Sequence, residues 1–334
     1  MELCNLPGVL VVGYPGKRHA GFCCGGAGGA VGSRLVPLLV SAGHSVAGLT
    51  HTPSKAVALR AAGAETAIVD ALNRAAVVEA VAVAKPEVIV HEMTSLSGVN
   101  DLRKFDQSFA LTNRLRTEGL VNLLAAAQQA GTPRIVVQSF CGWPDARIGG
   151  PVKSEDDPLD PAPPRNMRQT LDAIRYLENT VTASSDIEGL VLRYGAFYGD
   201  KTGLFDGPTI DQLRYRRVPL IGNGNGWWSF VHIDDAAAAT AIAVERGAPG
   251  IYNIVDEEPA PVREWLPALA AMLGAKAPWR IPKWLARIAA GAHIVALMTE
   301  VRAGSNAKAK RELSWQPAHP SWRQGFLEVL SHSA

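Results

Sequence analysis

The feature that most constrains the fold is a glycine-rich run at 25–32, GGAGGAVG, which leads directly into an amphipathic segment. Gly26, Gly29 and Gly32 are spaced three residues apart. Glycines in this pattern let a chain turn tightly out of a strand, let a pyrophosphate approach the main chain and let the next helix pack on the sheet. The amides at that helix's N-terminus then face the anion. The run predicts a dinucleotide-binding turn formed by Gly26, Gly29, Ala30, Val31 and Gly32, although a mobile loop can have the same composition.

The apolar pattern around this run predicts the surrounding elements. Residues 31–39 have helical spacing, and the apolar run at 46–49 follows them. Further short apolar runs at 67–69, 88–90, 135–137 and 190–192 alternate with helix-like stretches. The alternation predicts an α/β fold: a Rossmann-like, doubly wound parallel sheet with helices on both faces, followed by a smaller, mainly helical C-terminal substrate region. Ligands bind such sheets at the carboxyl ends of the strands.

The predicted organisation is a dinucleotide-binding domain at 1–190 and a substrate-binding region at 191–334. The two intertwine through the sixth strand and the segment 230–254. The first strand has two candidates. If it is the apolar run at 9–12, residues 13–24 are an insertion beside the cofactor; if it is 20–24, the N-terminus is an appendage. We favour the insertion because Val and Leu suit a buried central strand better than Ala and Gly.

Composition limits the class of protein. The chain has 334 residues, 47% of them hydrophobic, which is enough material for a large core. A net charge of +2 without a basic stripe gives no indication of nucleic acid. No apolar run is long enough to span a membrane and the N-terminus lacks a signal peptide's basic region, so we expect a cytoplasmic protein with no membrane partner. The four cysteines match neither a disulfide framework nor a metal site.

Four segments further along the chain carry recognisable motifs. They are RIVVQS at 134–139, LRYGAFYG at 192–199, PLIGNG with SFVHIDD between 219 and 235, and NAKAKRELSWQP at 306–317. In order and spacing they resemble the extended short-chain dehydrogenase/reductase family, the NAD-dependent epimerase/dehydratase-like group. The resemblance implies an NAD(P)-dependent enzyme acting on a small molecule, with a homodimer as an open question. It also implies that Ser139 lies where the family hydrogen-bonds the reacting oxygen.

The chain departs from this family at the proton relay. In the family a tyrosine exchanges a proton with the substrate oxygen, and a lysine four residues later lowers the tyrosine's pKa and holds the nicotinamide ribose. No tyrosine in this sequence has a lysine four residues after it. Depending on register, the two positions are Met167 and Leu171 or Thr170 and Ile174. The remaining catalytic candidates are Ser139, His91, Glu92 and Tyr198.

The end of the second strand bears on the choice of cofactor. An acidic residue about twenty positions after the glycines would bind the ribose 2′-hydroxyl of NAD. The segment from Thr50 to Lys55 has no carboxylate. Its hydroxyls, with His51 and Lys55, tolerate a 2′-phosphate, so we expect NADP rather than NAD. Asp70, after the third strand, lies where the family contacts adenine, but an ordinary loop aspartate fits equally well.

The C-terminal third is rich in tryptophan and apolar residues, including Trp227, Trp228, Trp265, Trp279, Trp284 and the run 281–298. This pattern predicts a core and a lid over a fairly apolar, aromatic or polyketide-like substrate. Three functions remain open: an oxidoreductase acting on a carbonyl or alcohol, an NAD(P)-requiring epimerase or isomerase of a sugar-like substrate, and a non-catalytic dinucleotide sensor. We favour the oxidoreductase because Ser139 and the substrate-region motifs are retained.

Overall fold

The computed structural model describes residues 21–96, 104–200, 202 and 207–332. Strands and helices alternate along its first half. They are β1 (Gly21–Gly25), α1 (Gly32–Ser41), β2 (Ser45–Thr50), α2 (Pro53–Ala61), β3 (Glu65–Ile68), α3 (Arg74–Ala84), β4 (Val88–His91), α4 (Phe105–Ser108), α5 (Ala110–Arg114), a π-helical turn (Leu115–Gly119), α6 (Leu120–Ala130) and β5 (Arg134–Phe140).

The second half mixes short strands with helices. Its elements are β6 (Val152–Lys153), a 3₁₀ turn (Arg165–Met167), α7 (Arg168–Thr182), β7 (Glu188–Tyr194), β8 (Ala196–Tyr198), α8 (Gly207–Arg214), β9 (Leu220–Ile221), β10 (Trp227–Trp228), β11 (Phe230–His232), α9 (Ile233–Glu245), β12 (Gly250–Ile254), β13 (Ala260–Pro261), α10 (Val262–Met272), β14 (Arg280–Ile281), α11 (Lys283–Ala290), α12 (Ala292–Thr299), β15 (Ala303–Gly304), a π-helical turn (Ala309–Leu313) and α13 (Trp322–His332).

Seven parallel strands form one sheet in the order β12-β7-β5-β4-β1-β2-β3. The chain proceeds outward from β1 to β3 and then restarts at β4 on the other side of β1. Gly25 at the end of β1 lies opposite Leu49 on β2 and His91 on β4. The strand order therefore reverses between β1 and β4, which is where sheets of this kind bind ligands. The predicted doubly wound fold is confirmed.

The favoured prediction for the first strand is wrong. Residues 21–25 form β1 and pair with both β2 and β4, so residues 21–24 belong to the central strand and not to an insertion at 13–24. The alternative strand at 20–24 matches to within one residue, and residues 9–12 lie outside the described part of the chain. The prediction from strand propensity failed because this strand ends in a crowded turn, where a Cβ at Gly25 would lie 3.1 Å from the Met93 sulfur.

The core lies on both faces of the sheet. Alternate strand residues point to opposite sides, as a pleated strand requires. Val90 and Val136 pack with α1 and α9, whereas Ile89 and Ile135 pack with α3 and α6. Both faces of the central strands are therefore covered by helices, which explains their continuous apolar runs.

The C-terminal region has an aromatic core of its own, in which Phe230, Trp265, Trp322 and Phe326 pack together. Of the tryptophans from which a core and a lid were predicted, Trp265 lies in this core, whereas Trp279 is 61% exposed and Trp284 is 66% exposed. Among the described residues, no helix has the length and apolarity needed to cross a bilayer.

Candidate active site

The glycine turn is fixed by close backbone contacts. The Gly29 amide donates to the Gly26 carbonyl at 2.8 Å, and Gly26 has φ +86°. A Cβ at Gly26 would lie 2.4 Å from the Glu92 carbonyl oxygen, and one at Gly32 would lie 2.5 Å from that of Ala27. At Gly29 the nearest atom would be the Gly26 carbonyl oxygen at 3.0 Å. The backbone therefore requires glycine at the two outer positions, while Gly29 has more room.

The start of α1 fits a phosphate group. No side chain caps this helix, and its first turn carries no acidic residue. The Ser33, Arg34 and Leu35 amides already donate to the Gly29 and Val31 carbonyls. The start of the helix lies at the carboxyl edge of β1, where helix N-termini of this fold bind a dinucleotide pyrophosphate.

The predicted cofactor residues after β2 lie close to this turn. The Lys55 stem covers Gly28, where an added Cβ would lie 2.7 Å from Lys55 Cδ. Thr50 is buried and accepts a hydrogen bond from the Thr52 amide, while His51 is exposed. Asp70 is exposed and accepts from the Leu72 amide at 2.9 Å, so its side chain stabilises its own loop. The turn thus has a cation beside it, and the segment after β2 adds no carboxylate.

Ser139 lies at the end of β5 but its hydroxyl is already engaged. It donates to Glu178 Oε1 at 2.6 Å. Glu178, on α7, also receives two hydrogen bonds from Arg193 on β7, at 2.8 and 2.6 Å. All three side chains are buried. Burial alone lowers the pKa of Arg193, but the hydrogen bonds and charge of Glu178 raise it above its ordinary value. The buried cluster therefore ties β5, α7 and β7 together, and the serine hydroxyl points into it.

His91 is held in a neutral form. Its Nδ1 accepts from the Met93 amide at 3.2 Å, which leaves Nε2 to donate to the Leu115 carbonyl at 3.1 Å. Burial lowers the pKa of His91 to about 4. At neutral pH the imidazole ring is therefore uncharged, and both of its nitrogens form hydrogen bonds with backbone groups.

Glu92 is a buried acid beneath the glycine turn. Burial raises its pKa to about 8, so the carboxyl is mostly protonated at neutral pH. Tyr194 donates to its Oε1 at 2.9 Å, and its Oε2 is buried without a hydrogen-bond partner. Tyr194 also hydrogen-bonds Thr240 on α9. The Glu92 carboxyl therefore lies on the face of the sheet that α9 covers.

Tyr198 is fully buried in the aromatic core of the C-terminal region, where it packs edge-on against Phe326 and His232. Burial raises the pKa of its phenol above the ordinary value. A catalytic role for Ser139, His91, Glu92 and Tyr198 stays a prediction, and the geometry gives His91, Glu92 and Tyr198 structural contacts.

The positions predicted for the family's tyrosine and lysine hold, in either register, buried side chains that cannot donate a proton to a substrate. Met167, Leu171 and Ile174 are apolar and at most 2% exposed. Thr170 Oγ1 donates to Asp106 Oδ1 at 2.7 Å, and the same carboxylate accepts from the Thr170 amide. Asp106 thus caps α7 from a distant segment, a contact with no local sequence signal.

Sequence reasoning also missed Arg116, which lies in the π-helical turn after α5. Arg116 is 5% exposed, and its Nε and Nη1 have no hydrogen-bond partner. Burial lowers its pKa to about 10, and the Glu178 charge acts in the opposite direction. Two buried guanidinium groups, those of Arg116 and Arg193, therefore lie near one Glu178 carboxylate. Burial raises the pKa of neighbouring Asp145 to about 7.

A narrow aromatic cleft lies beside the end of β5. Its walls come from the loop after β5, from β8 and β10 and from the segment after α12; they are Phe140, Cys141, Gly142, Trp143, Ala196, Trp227, Trp228, Ser229, Leu297, Val301 and Arg302. Arg302 is fixed by hydrogen bonds to the carbonyls of Glu300 and Arg147, and its Nε is buried without a partner. No described carboxylate pairs with it, so the cleft wall holds an unneutralised cation.

Comparison with known proteins agrees with this arrangement. The NAD-dependent epimerase/dehydratase family profile matches residues 25–255. This chain belongs to the NAD-dependent epimerase/dehydratase family. It is 43% identical over 304 residues to a Streptomyces protein named 3-diazoavenalumate denitrifying reductase, which covers 90% of this chain and 97% of that protein. The predictions of an epimerase/dehydratase-like reductase family and of a nicotinamide-dependent oxidoreductase are confirmed.

Solved structures of this family share the fold. The UDP-glucose 4-epimerase of Thermotoga maritima with UDP-glucose has a TM-score of 0.73 at 19% identity, covering 93% of this chain and 98% of that one. A human epimerase family protein with NADPH has a TM-score of 0.70, also at 19% identity, over 93% and 99% of the two chains. At such identities the likeness concerns the fold alone.

Ser139→Ala tests the role of the buried cluster. Because a hydrogen bond to a charged buried group contributes about 1.5–3 kcal/mol, we expect urea unfolding to show a loss of that size. Ser185→Ala, which changes an exposed serine, is the matched control. If Ser139→Ala left the free energy of unfolding unchanged and lowered turnover by more than about tenfold, the hydroxyl would instead act on the substrate.

Gly29→Val tests the phosphate-binding turn. The branched side chain would occupy the space where phosphate oxygens approach the backbone, so we expect dinucleotide affinity, measured by calorimetry, to fall at least about tenfold. Gly32→Ala should lower the melting temperature because its Cβ has no room. Gly150→Ala is the control, since an added Cβ there meets no atom within 4 Å. Unchanged affinity in Gly29→Val would remove the turn from the cofactor site.

Proposed function

We propose that this protein is an NADPH-preferring reductase that replaces the diazo group of an apolar aromatic acid by hydrogen. The observation that carries the proposal is the combination of an open phosphate-binding turn with relay positions that offer no proton donor. The relative that is 43% identical over 90% of this chain, named as a reductase of a diazo compound, supports the substrate class.

The chemistry explains why a missing relay is compatible with reduction. A carbonyl reduced by hydride requires a proton at its oxygen, and Met167, Thr170, Leu171 and Ile174 supply none. Loss of dinitrogen from the diazonium form of the group, which carries a positive charge, requires no such proton. The ring carbon would accept a hydride with its electron pair while the carbon–nitrogen bond breaks and its bonding pair leaves with dinitrogen, so that cation and hydride give a neutral product. A bound reduced nicotinamide would supply the hydride.

The protein's own residues then bind and orient the substrate. The aromatic side chains of Phe140, Trp143 and Trp228 suit a flat conjugated ring. The Arg302 guanidinium, held by hydrogen bonds to two backbone carbonyls, places a positive charge in the cleft wall that favours the acid group.

Turnover of 3-diazoavenalumate, followed by loss of reduced-nicotinamide absorbance and release of dinitrogen, tests the reaction. Arg302→Met should raise KM for the acid by about tenfold or more, the effect of losing one charged contact, but should leave KM for its methyl ester nearly unchanged. Arg263→Met, which alters an exposed arginine, is the matched control. Reduction of ketones by a protein that leaves the diazo acid intact would contradict the proposal, and dinucleotide binding without any turnover would favour a sensor.

Lys55→Ala tests the cofactor preference. Wild-type protein should bind NADPH more tightly than NADH, because the Lys55 side chain lies along the glycine turn and no carboxylate follows β2. Removing this cation should reduce the ratio of the two dissociation constants by about tenfold, the usual effect of one charge-assisted contact. Lys276→Ala, an exposed lysine in the C-terminal region, should leave the ratio unchanged. Tighter binding of NADH by the wild type would contradict the preference.

A further inference from the structure

Helix α11 exposes its large apolar side chains. Ala286 is its one buried residue, while Trp284 is 66% exposed, Leu285 41% and Ile288 78%. Ile288 lies four positions after Trp284 and three after Leu285, so its side chain neighbours both of theirs on the helix surface. A helix of a soluble protein normally turns such a face toward the core. Here the apolar face is outward.

The apolar surface continues beyond this helix. β14, just before α11, pairs with β9, and the Leu220 amide donates to the Trp279 carbonyl. The Trp279 indole donates to the Arg216 carbonyl, and neighbouring Tyr215 is 70% exposed. We call the set Tyr215, Trp279, Trp284, Leu285 and Ile288 the outer patch. Large contiguous exposed apolar surfaces of this kind mark interaction sites.

Basic residues surround the outer patch. Lys276, Arg280, Lys283 and Arg287 lie on the C-terminal segment, and no acidic residue occurs between 265 and 299. Arg214, Arg216 and Arg217 lie on the adjoining segment, where Asp211 faces Arg214 at 3.9 Å. Arg216 and Arg217 stack over the rings of Trp279 and Tyr215. The surface therefore combines exposed tryptophan and isoleucine with a strong excess of positive charge.

We propose that the outer patch binds the surface of an anionic lipid bilayer. Tryptophan and aliphatic side chains enter the headgroup region, while surrounding lysine and arginine side chains contact anionic headgroups. A second copy of this chain is a poorer partner, because a two-fold contact would bring the same cations face to face. The sequence predicted no membrane partner. The exposed apolar face of α11 is the reason for proposing one.

The location suits an apolar substrate. α12 follows α11 after one residue and contributes Leu297 to the wall of the aromatic cleft. A bilayer against α11 would therefore lie on the other side of a two-helix layer from the cleft. The proposal does not depend on the reaction assigned to the cleft, so either can fail alone.

Vesicle co-sedimentation tests the proposal with the full chain. Vesicles of phosphatidylcholine with 30% phosphatidylglycerol should bind wild-type protein at least tenfold more tightly than vesicles of phosphatidylcholine alone, and 0.5 M NaCl should weaken that binding. Trp284→Ser with Ile288→Ser should reduce binding at least tenfold, as should Arg280→Gln, Lys283→Gln and Arg287→Gln combined. Val83→Ser with Ile148→Ser removes equally exposed apolar groups elsewhere and should have no effect. Dinucleotide affinity, measured on each variant, reports on folding.

Two results would overturn the proposal. The first is equal or absent binding of the two vesicle types by a wild-type protein that still binds dinucleotide. The second is a wild-type dimer in analytical ultracentrifugation that the Trp284→Ser, Ile288→Ser variant converts to a monomer, which would assign the patch to a second copy. The proposal is supported if the Trp284→Ser, Ile288→Ser variant loses binding to anionic vesicles and any wild-type dimer persists in it.

Discussion

The backbone contact between the glycine turn and the end of β4 sets the geometry on which the site depends. The main chain at Gly26 passes so close to Glu92 that no side chain fits, and Gly32 packs equally closely on Ala27. These contacts bring the start of α1 to the point where the strand order reverses. The start of α1, the end of β4 and the loop after β5 therefore meet along one edge of the sheet. A dinucleotide and a substrate can bind side by side there.

Below that edge lies a buried ion pair between Glu178 and Arg193, to which the Ser139 hydroxyl also donates. Asp106 caps α7 through the Thr170 amide and hydroxyl. What remains for a substrate is an aromatic cleft with an unneutralised arginine at its wall. Such a site suits the proposed reaction, in which a hydride replaces a leaving group and the protein supplies no proton.

The sequence predicted the parallel sheet and the tight glycine turn after β1 because each has a local signature in spacing or residue type. It could not predict the contacts that join distant segments. The residues before Ser139 resemble those that precede the family's active-site serine. Its hydrogen-bond partner Glu178, however, lies on another element, α7. The unpartnered Arg116 and Arg302, the Asp106 cap and the outward face of α11 likewise depend on tertiary packing. The first strand was misassigned because propensity favoured residues 9–12, whereas crowding at the turn selects small residues.

The central claim is that reduction here needs a hydride but no proton from the protein. Isotope tracing tests it most directly, with 3-diazoavenalumate as substrate and NADPH deuterated at the transferred position. The account predicts one deuterium at the carbon that carried nitrogen, a primary isotope effect on turnover and no solvent isotope effect in D₂O. Deuterium entering that carbon from D₂O, or a large solvent isotope effect with undeuterated NADPH, would contradict it.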